Sequence, residues 1–108
     1  VSSRSAQLGN AGEWIHYAAS KGATDTFTIG LAREVANEGI RVNAIRPGLI
    51  DTEIHAAAGL HDRIERLAAT VPMGRAGTSD EVAESIVWLA SPQASYVTGA
   101  IVDVSGGR

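Results

Sequence analysis

The chain has 108 residues, 44% of them hydrophobic, a formal net charge of −3 and no cysteine. That is enough for one small domain, which at this size buries about two thirds of the surface its unfolded chain exposes. The composition excludes disulfides and thiolate metal sites; without a basic run it argues against a nucleic-acid partner, and no apolar run approaches the length of a membrane span.

The sequence opens on Val1-Ser2-Ser3, with neither an initiator methionine nor a signal-peptide pattern. This reads as the end of a strand that begins elsewhere. Residues 4–13 are small and polar, broken by Gly9, Asn10 and Gly12, and predict a loop. A helix starts near residues 14–17. In it Ala23, Phe27, Leu31 and Val35 recur every four residues, an expected core face, and Gly39 suits its C-terminal cap. Gly22 and Gly30 weaken that helix by up to ~1 kcal/mol each relative to alanine, which close packing against another element would explain. Residues 40–45 predict a buried strand, stopped by Pro47-Gly48. A loop over 49–59 leads to a short amphipathic helix over 60–69, with Ile64, Leu67 and Ala68 on one side. Thr78 and Glu81 form a capping box, opening a helix whose expected buried stripe is Val82, Ile86 and Leu89 or Ala90. Ser91-Pro92 ends it, residues 100–104 predict a short apolar strand, and Ser105-Gly106-Gly107 leaves the sheet. Strands separated by helices predict an α/β fold with a parallel sheet. Only two strands are complete, so much of the sheet is expected outside these residues.

The chemistry centres on Tyr17-Ala18-Ala19-Ser20-Lys21. Tyrosine and lysine four residues apart on a helix share a face, about 6 Å apart along the axis. A free phenol titrates near pH ~10, too high for efficient proton transfer at neutral pH. An ammonium at ~4 Å in an effective dielectric of ~20 favours the phenolate by up to ~4 kcal/mol, at most about three pKa units. Tyr17 with Lys21 can therefore serve as a proton donor and acceptor.

Taken together, the motifs resemble the C-terminal half of a short-chain dehydrogenase/reductase. Tyr17 and Lys21 match the family's Tyr-x-x-x-Lys, and Ser2-Ser3 lies where the family keeps its catalytic serine. Arg41-Val42-Asn43-Ala44-Ile45-Arg46-Pro47-Gly48, with Thr52 beyond, is similar to the strand and loop that meet the nicotinamide. Val97-Thr98-Gly99 and Val102-Asp103-Val104-Ser105-Gly106-Gly107 resemble the last strand. The resemblance covers essentially all 108 residues. Its nearest look is to bacterial enzymes labelled glucose dehydrogenases or 3-oxoacyl carrier-protein reductases. Ser3 stands fourteen residues before Tyr17 rather than the usual thirteen, which a one-residue insertion in the loop accounts for; Ser5 is the fallback. The family's Thr-Gly-x-x-x-Gly-x-Gly turn, its Asn-Asn-Ala-Gly stretch and the catalytic asparagine are not in this sequence.

The resemblance implies one domain, residues 1–108 forming the C-terminal part of a Rossmann-like, doubly wound parallel sheet. It implies hydride transfer between NAD or NADP and a small carbonyl or alcohol, in a cytoplasmic homodimer or homotetramer. Tyr17 would be the general acid/base, Lys21 would assist it and bind the nicotinamide ribose, and Ser3 would hold the substrate oxygen. Pro47, Gly48, Ile50 and Thr52 would contact the cofactor beside Tyr17 and Lys21, and residues 49–70 would form a substrate lid. No metal site is expected, since His55 and His61 lack a carboxylate pattern. His16 reads as surface or interface, Trp14 as a pocket border or a staple of the helix start, and Asn43 as structural. The alternative is a non-catalytic remnant or oligomerisation module of the same fold.

Overall fold

The computed structural model describes residues 1–53 and 62–108. In chain order the elements are α1 (Ser5–Leu8), α2 (Ile15–Val35), β1 (Ala44–Pro47), α3 (Arg63–Ala68), α4 (Ser79–Ala90) and β2 (Ile101–Val104). Short 3₁₀ turns follow α2 at Ala36–Glu38 and α4 at Pro92–Ala94.

The two strands run parallel, with Ala44 opposite Ile101 and Pro47 opposite Val104. The opening segment lies along the other edge of β1. The Ser2 amide donates to Ile45 O at 2.8 Å and the Arg4 amide to Pro47 O at 3.0 Å. Three chain segments thus lie side by side, the first continuing the sheet through backbone hydrogen bonds alone. Arg46 reaches Asp25 of α2 from one face of β1. Ile45, next along the strand and so facing the other way, borders a cavity with Ile86 and Leu89 of α4. Helices cover both faces of a parallel sheet, an α/β arrangement.

Several local expectations change. Residues 5–8, expected in a loop, form α1, closed by Gly9 in the left-handed conformation with its amide on Ser5 O. The strand starts at Ala44, not at residue 40, and includes Pro47. Before it, side chains take the place of the ladder: the Val42 amide donates to Thr98 Oγ1, and Asn43 spans Val97 O and the Ala100 amide. The buried line of α2 is Ala18, Thr28 and Ala32, and Phe27 is 66% exposed. Phe27 lies about 100° around the helix from Thr28; of the expected face, Ala23 and Phe27 are exposed while Leu31 and Val35 are half-buried. Gly22 and Gly30 have open space where a Cβ would sit; no packing among the described residues explains them. On α4, Leu89 is buried as expected but Ile86 is 41% exposed.

Other signals hold. Gly39 ends the 3₁₀ turn after α2 in the left-handed conformation, and Ile64, Leu67 and Ala68 of α3 are half-buried while Glu65 and Arg66 are exposed. The Thr78–Glu81 capping box closes reciprocally at 3.2 and 2.8 Å. The far end of α4 is held by Arg41, whose guanidinium donates to Leu89 O, Ser91 O and Val97 O. A cation there also complements the negative end of the helix.

Candidate active site

A cavity of about 500 Å³ opens where the Ser2-Ser3 segment, the start of α2 and the end of β1 converge. Ser3, Tyr17, Lys21, Pro47, Gly48, Ile50 and Thr52, all seven site residues expected from sequence, line it.

Tyr17 and Lys21 owe their placement to the helix. Four residues bring them to one face, and the Lys21 Nζ lies 5.5 Å from the Tyr17 ring centroid. Nζ also donates to Val1 O at 3.1 Å, tying α2 to the segment that carries the serines. Trp14 stands edge-on to Tyr17, ring centroids 6.3 Å apart and planes at 68°, and forms part of the wall.

The two adjacent serines have different partners. Ser2 is 3% exposed and its hydroxyl donates to Lys21 O at 3.2 Å, a structural bond. Ser3 is half-buried, and its Oγ accepts from the Ser5 amide at 3.2 Å at the start of α1. That leaves the Ser3 hydroxyl proton free to donate toward the cavity. Ser5 lines the same cavity and accepts from Asn10 Nδ2 at 2.8 Å.

The loop after β1 is pinned by main-chain bonds. The Gly48 amide donates to Val104 O at 2.9 Å; the Gly77 amide donates to Leu49 O, and the Asp51 amide to Gly77 O, each at 2.9 Å. A Cβ on Gly48 would stand 2.7 Å from Ser105 Cα. Glycine is required there by the close approach of the two strand ends, a reason separate from any ligand.

His16 is exposed, as expected, and borders the cavity, as do Leu8, Asn10 and Arg108. Sequence spacing did not single out the last three, because α1 and the chain end reach the site only through the tertiary fold. Asn43 is structural, occupied on both ends by the segment before β2. His55, His61 and residues 54–61 of the expected lid lie outside the described residues. Among the described residues no group of three or more His, Cys, Asp or Glu side chains is placed to hold a metal. Nor is any helix among them long and apolar enough to cross a membrane.

The walls suit one end of a dinucleotide: an apolar side from Pro47, Leu49 and Ile50, and polar groups from Ser3, Tyr17, Lys21 and Thr52. No glycine-rich phosphate-binding turn occurs in the 108 residues.

Comparison with known proteins bears on the fold and the family. The family model described as Enoyl-(acyl carrier protein) reductase matches residues 1–108. The uncharacterized oxidoreductase YgfF of Escherichia coli K12 is 55% identical over all 108 residues, which make up 44% of its length. The crystal structure of a short-chain dehydrogenase/reductase, a glucose/ribitol dehydrogenase from Brucella melitensis, superposes with a TM-score of 0.87 at 38% identity, covering 98% of this chain and 42% of that one. A blue fluorescent protein from a metagenomic library, solved in complex with NADPH, gives a TM-score of 0.85 at 38% identity over 98% of this chain and 42% of its own. The chain thus spans about two fifths of the length of these relatives, and the sheet is part of a Rossmann fold. With the family model matching end to end and the fold shared with solved members, the chain belongs to the short-chain dehydrogenase/reductase family.

Proposed function

We propose that the protein is an oxidoreductase that transfers a hydride between NAD or NADP and a small carbonyl or alcohol, with Ser3, Tyr17 and Lys21 as its catalytic residues. The observation that carries this reading is one cavity lined by those three side chains and by the Pro47–Thr52 loop. The NADPH held by the metagenomic relative supports the choice of cofactor.

In the direction of reduction, Ser3 Oγ donates a hydrogen bond to the substrate carbonyl oxygen and holds it toward Tyr17. The Tyr17 hydroxyl gives its proton to that oxygen as negative charge develops there. The Lys21 ammonium, already anchored to Val1 O, lies beside the ring and steadies the phenolate left behind; in oxidation the proton moves the other way. Lys21 also hydrogen-bonds the nicotinamide ribose. Pro47, Gly48, Ile50 and Thr52 hold the nicotinamide end, Ile50 through backbone groups and Thr52 through its hydroxyl. The bound cofactor supplies the hydride; the chain supplies alignment and the proton.

The enzyme would work in the cytoplasm as a dimer or tetramer. Ile15 and Phe27 of α2, each about two thirds exposed, fit subunit contacts. The same residues would serve the alternative, a non-catalytic oligomerisation module.

The test uses the full-length protein with NADH and NADPH against ethyl acetoacetate, acetoacetyl-N-acetylcysteamine, benzaldehyde and gluconolactone, and with the oxidised cofactors against glucose and ribitol, followed by cofactor absorbance. The wild type is expected to turn over at least one pair. Tyr17→Phe should lower that rate by about 100-fold or more while NADPH still binds. No turnover by the wild type, or full turnover by the variant, contradicts the reading.

A further inference from the structure

Four charged side chains that take no part in the proposed chemistry form a chain across the molecule. Asp25 stands one helical turn beyond Lys21 on α2, and its Oδ2 lies 3.5 Å from Arg46 Nη1. Arg46 Nε lies 2.8 Å from Oδ1 of Asp103, its register partner on β2, an ion pair close in distance but not aligned as a hydrogen bond. Arg4 Nη1 takes the other oxygen of the same carboxylate at 2.9 Å, and Arg4 Nε donates to Arg108 O at 2.5 Å.

The side chains of Arg46 and Asp25 are only 11% and 14% exposed, so their attraction is poorly screened by water. Two guanidiniums face two carboxylates, and removing one partner leaves a charge sheltered and uncompensated. What distinguishes this chain from an ordinary ion network is where its members sit. Arg4 follows Ser3 directly, and its amide is bonded to Pro47 O. Asp25 is the next side chain on the Lys21 face. Arg46 precedes Pro47-Gly48. Each of the three separate pieces of the proposed site therefore adjoins one link.

We propose that Asp25, Arg46, Asp103 and Arg4 form a positioning frame that holds the Ser3 segment, the Tyr17–Lys21 helix and the Pro47-Gly48 turn in a single relation. This rests on the reductase reading, because the frame matters to rate only if those three pieces act on one substrate. Proton donor, oxygen-holding hydroxyl and hydride source must then align together, and a displacement of about 1 Å can cost about 100-fold in rate. A rigid, planar guanidinium at position 46 spans both carboxylates; a lysine, as a point charge on a flexible stem, does not.

The experiment uses full-length protein carrying Arg46→Met, Arg46→Lys, Asp103→Asn or Asp25→Asn, with Arg75→Gln as a surface ion-pair control. Each variant is assayed below its melting temperature with NADPH and the carbonyl compound that the wild type reduces fastest. Arg46→Met and Asp103→Asn should lower kcat about 10- to 100-fold, with KM and NADPH affinity within about threefold of wild type, the pattern of lost alignment rather than lost binding. Arg46→Lys should stay impaired, and Arg75→Gln should match wild type. Hydrogen–deuterium exchange gives a readout independent of turnover: residues 1–8, 15–25 and 44–50 should all exchange faster together. Wild-type kcat in folded Arg46→Met, or faster exchange only beside the substituted residue, overturns the frame. If Arg46→Met does not fold, Asp25→Asn, which removes one charge at constant size, decides it by the same exchange. A wild type inert toward every carbonyl sinks the reductase reading instead, and exchange then judges the frame alone.

Discussion

Ser2 and Ser3 are neighbours whose hydroxyls serve different ends, and the difference can be measured. The Ser2 hydroxyl is buried against Lys21 O, so Ser2→Ala should cost about 1 kcal/mol of stability, read by urea denaturation, with turnover per folded molecule kept within a few-fold. Ser3 accepts one amide bond and keeps its proton for the cavity. Ser3→Ala should therefore cut kcat by about 100-fold, the scale of losing one oxyanion donor, with little change in melting. The reverse assignment of losses would move the catalytic role to Ser2. In the sequence, position at the strand end is what favours Ser3, since neighbouring strand residues face opposite sides, while the spacing from Tyr17 departs by one residue from the usual.

The last helix was the most legible element, because everything that starts it lies within four residues. Thr78 and Glu81 close the capping box, and Arg75 grips the Glu81 carboxylate through both oxygens at 2.6 and 2.9 Å. The Arg75 hydrogen bonds, then the Thr78 amide, hold the Glu81 carboxyl down at about 2, below its ordinary 4.5. A lowered folded-state value means the contribution is full above pH 4.5 and is lost as pH falls through about 2. Glu81→Gln should thus lower the melting temperature at pH 7, and the gap from wild type should shrink below pH 4.5 and close near pH 2. A gap that does not change with pH would remove the ionised carboxylate from the account. By contrast, Arg41 at the far end of the same helix was not legible. Its acceptors lie 48 to 56 residues away, and no local pattern encodes them. The same holds for Arg46 and Asp103, paired across the sheet. The α2 stripe was only half legible for another reason: Leu31 and Val35 are half-buried but Ala23 and Phe27 exposed, because a four-residue apolar repeat marks a face but does not say which neighbour covers it. The buried side chains of α2 are Ala18, Thr28 and Ala32, all small, while Phe27 is 66% exposed.

At the scale of the whole molecule, the 108 residues contain no glycine-rich phosphate-binding turn and span about two fifths of the length of the relatives. Among the described residues the buried core consists of small and medium side chains, with no large one below 2% exposure. Ile15, Phe27, Val87 and Trp88 are left substantially exposed. The radius of gyration, 14.9 Å, exceeds the roughly 13 Å of a compact domain of this length. Residues 1–108 expressed alone should therefore melt without a sharp transition, bind a dye for exposed apolar surface and give no NADPH fluorescence enhancement; a cooperative melt with micromolar NADPH binding would contradict this. The full-length protein should behave as a folded oxidoreductase, and isotope transfer tests that most directly. Supplied with NADPH carrying deuterium at the transferable position of the nicotinamide, the wild type should place one deuterium on the carbinol carbon of its alcohol product at each turnover. Tyr17→Phe should bind the same cofactor yet pass almost none. Unlabelled product from the wild type, or label transferred by Tyr17→Phe at the wild-type rate, would contradict the account.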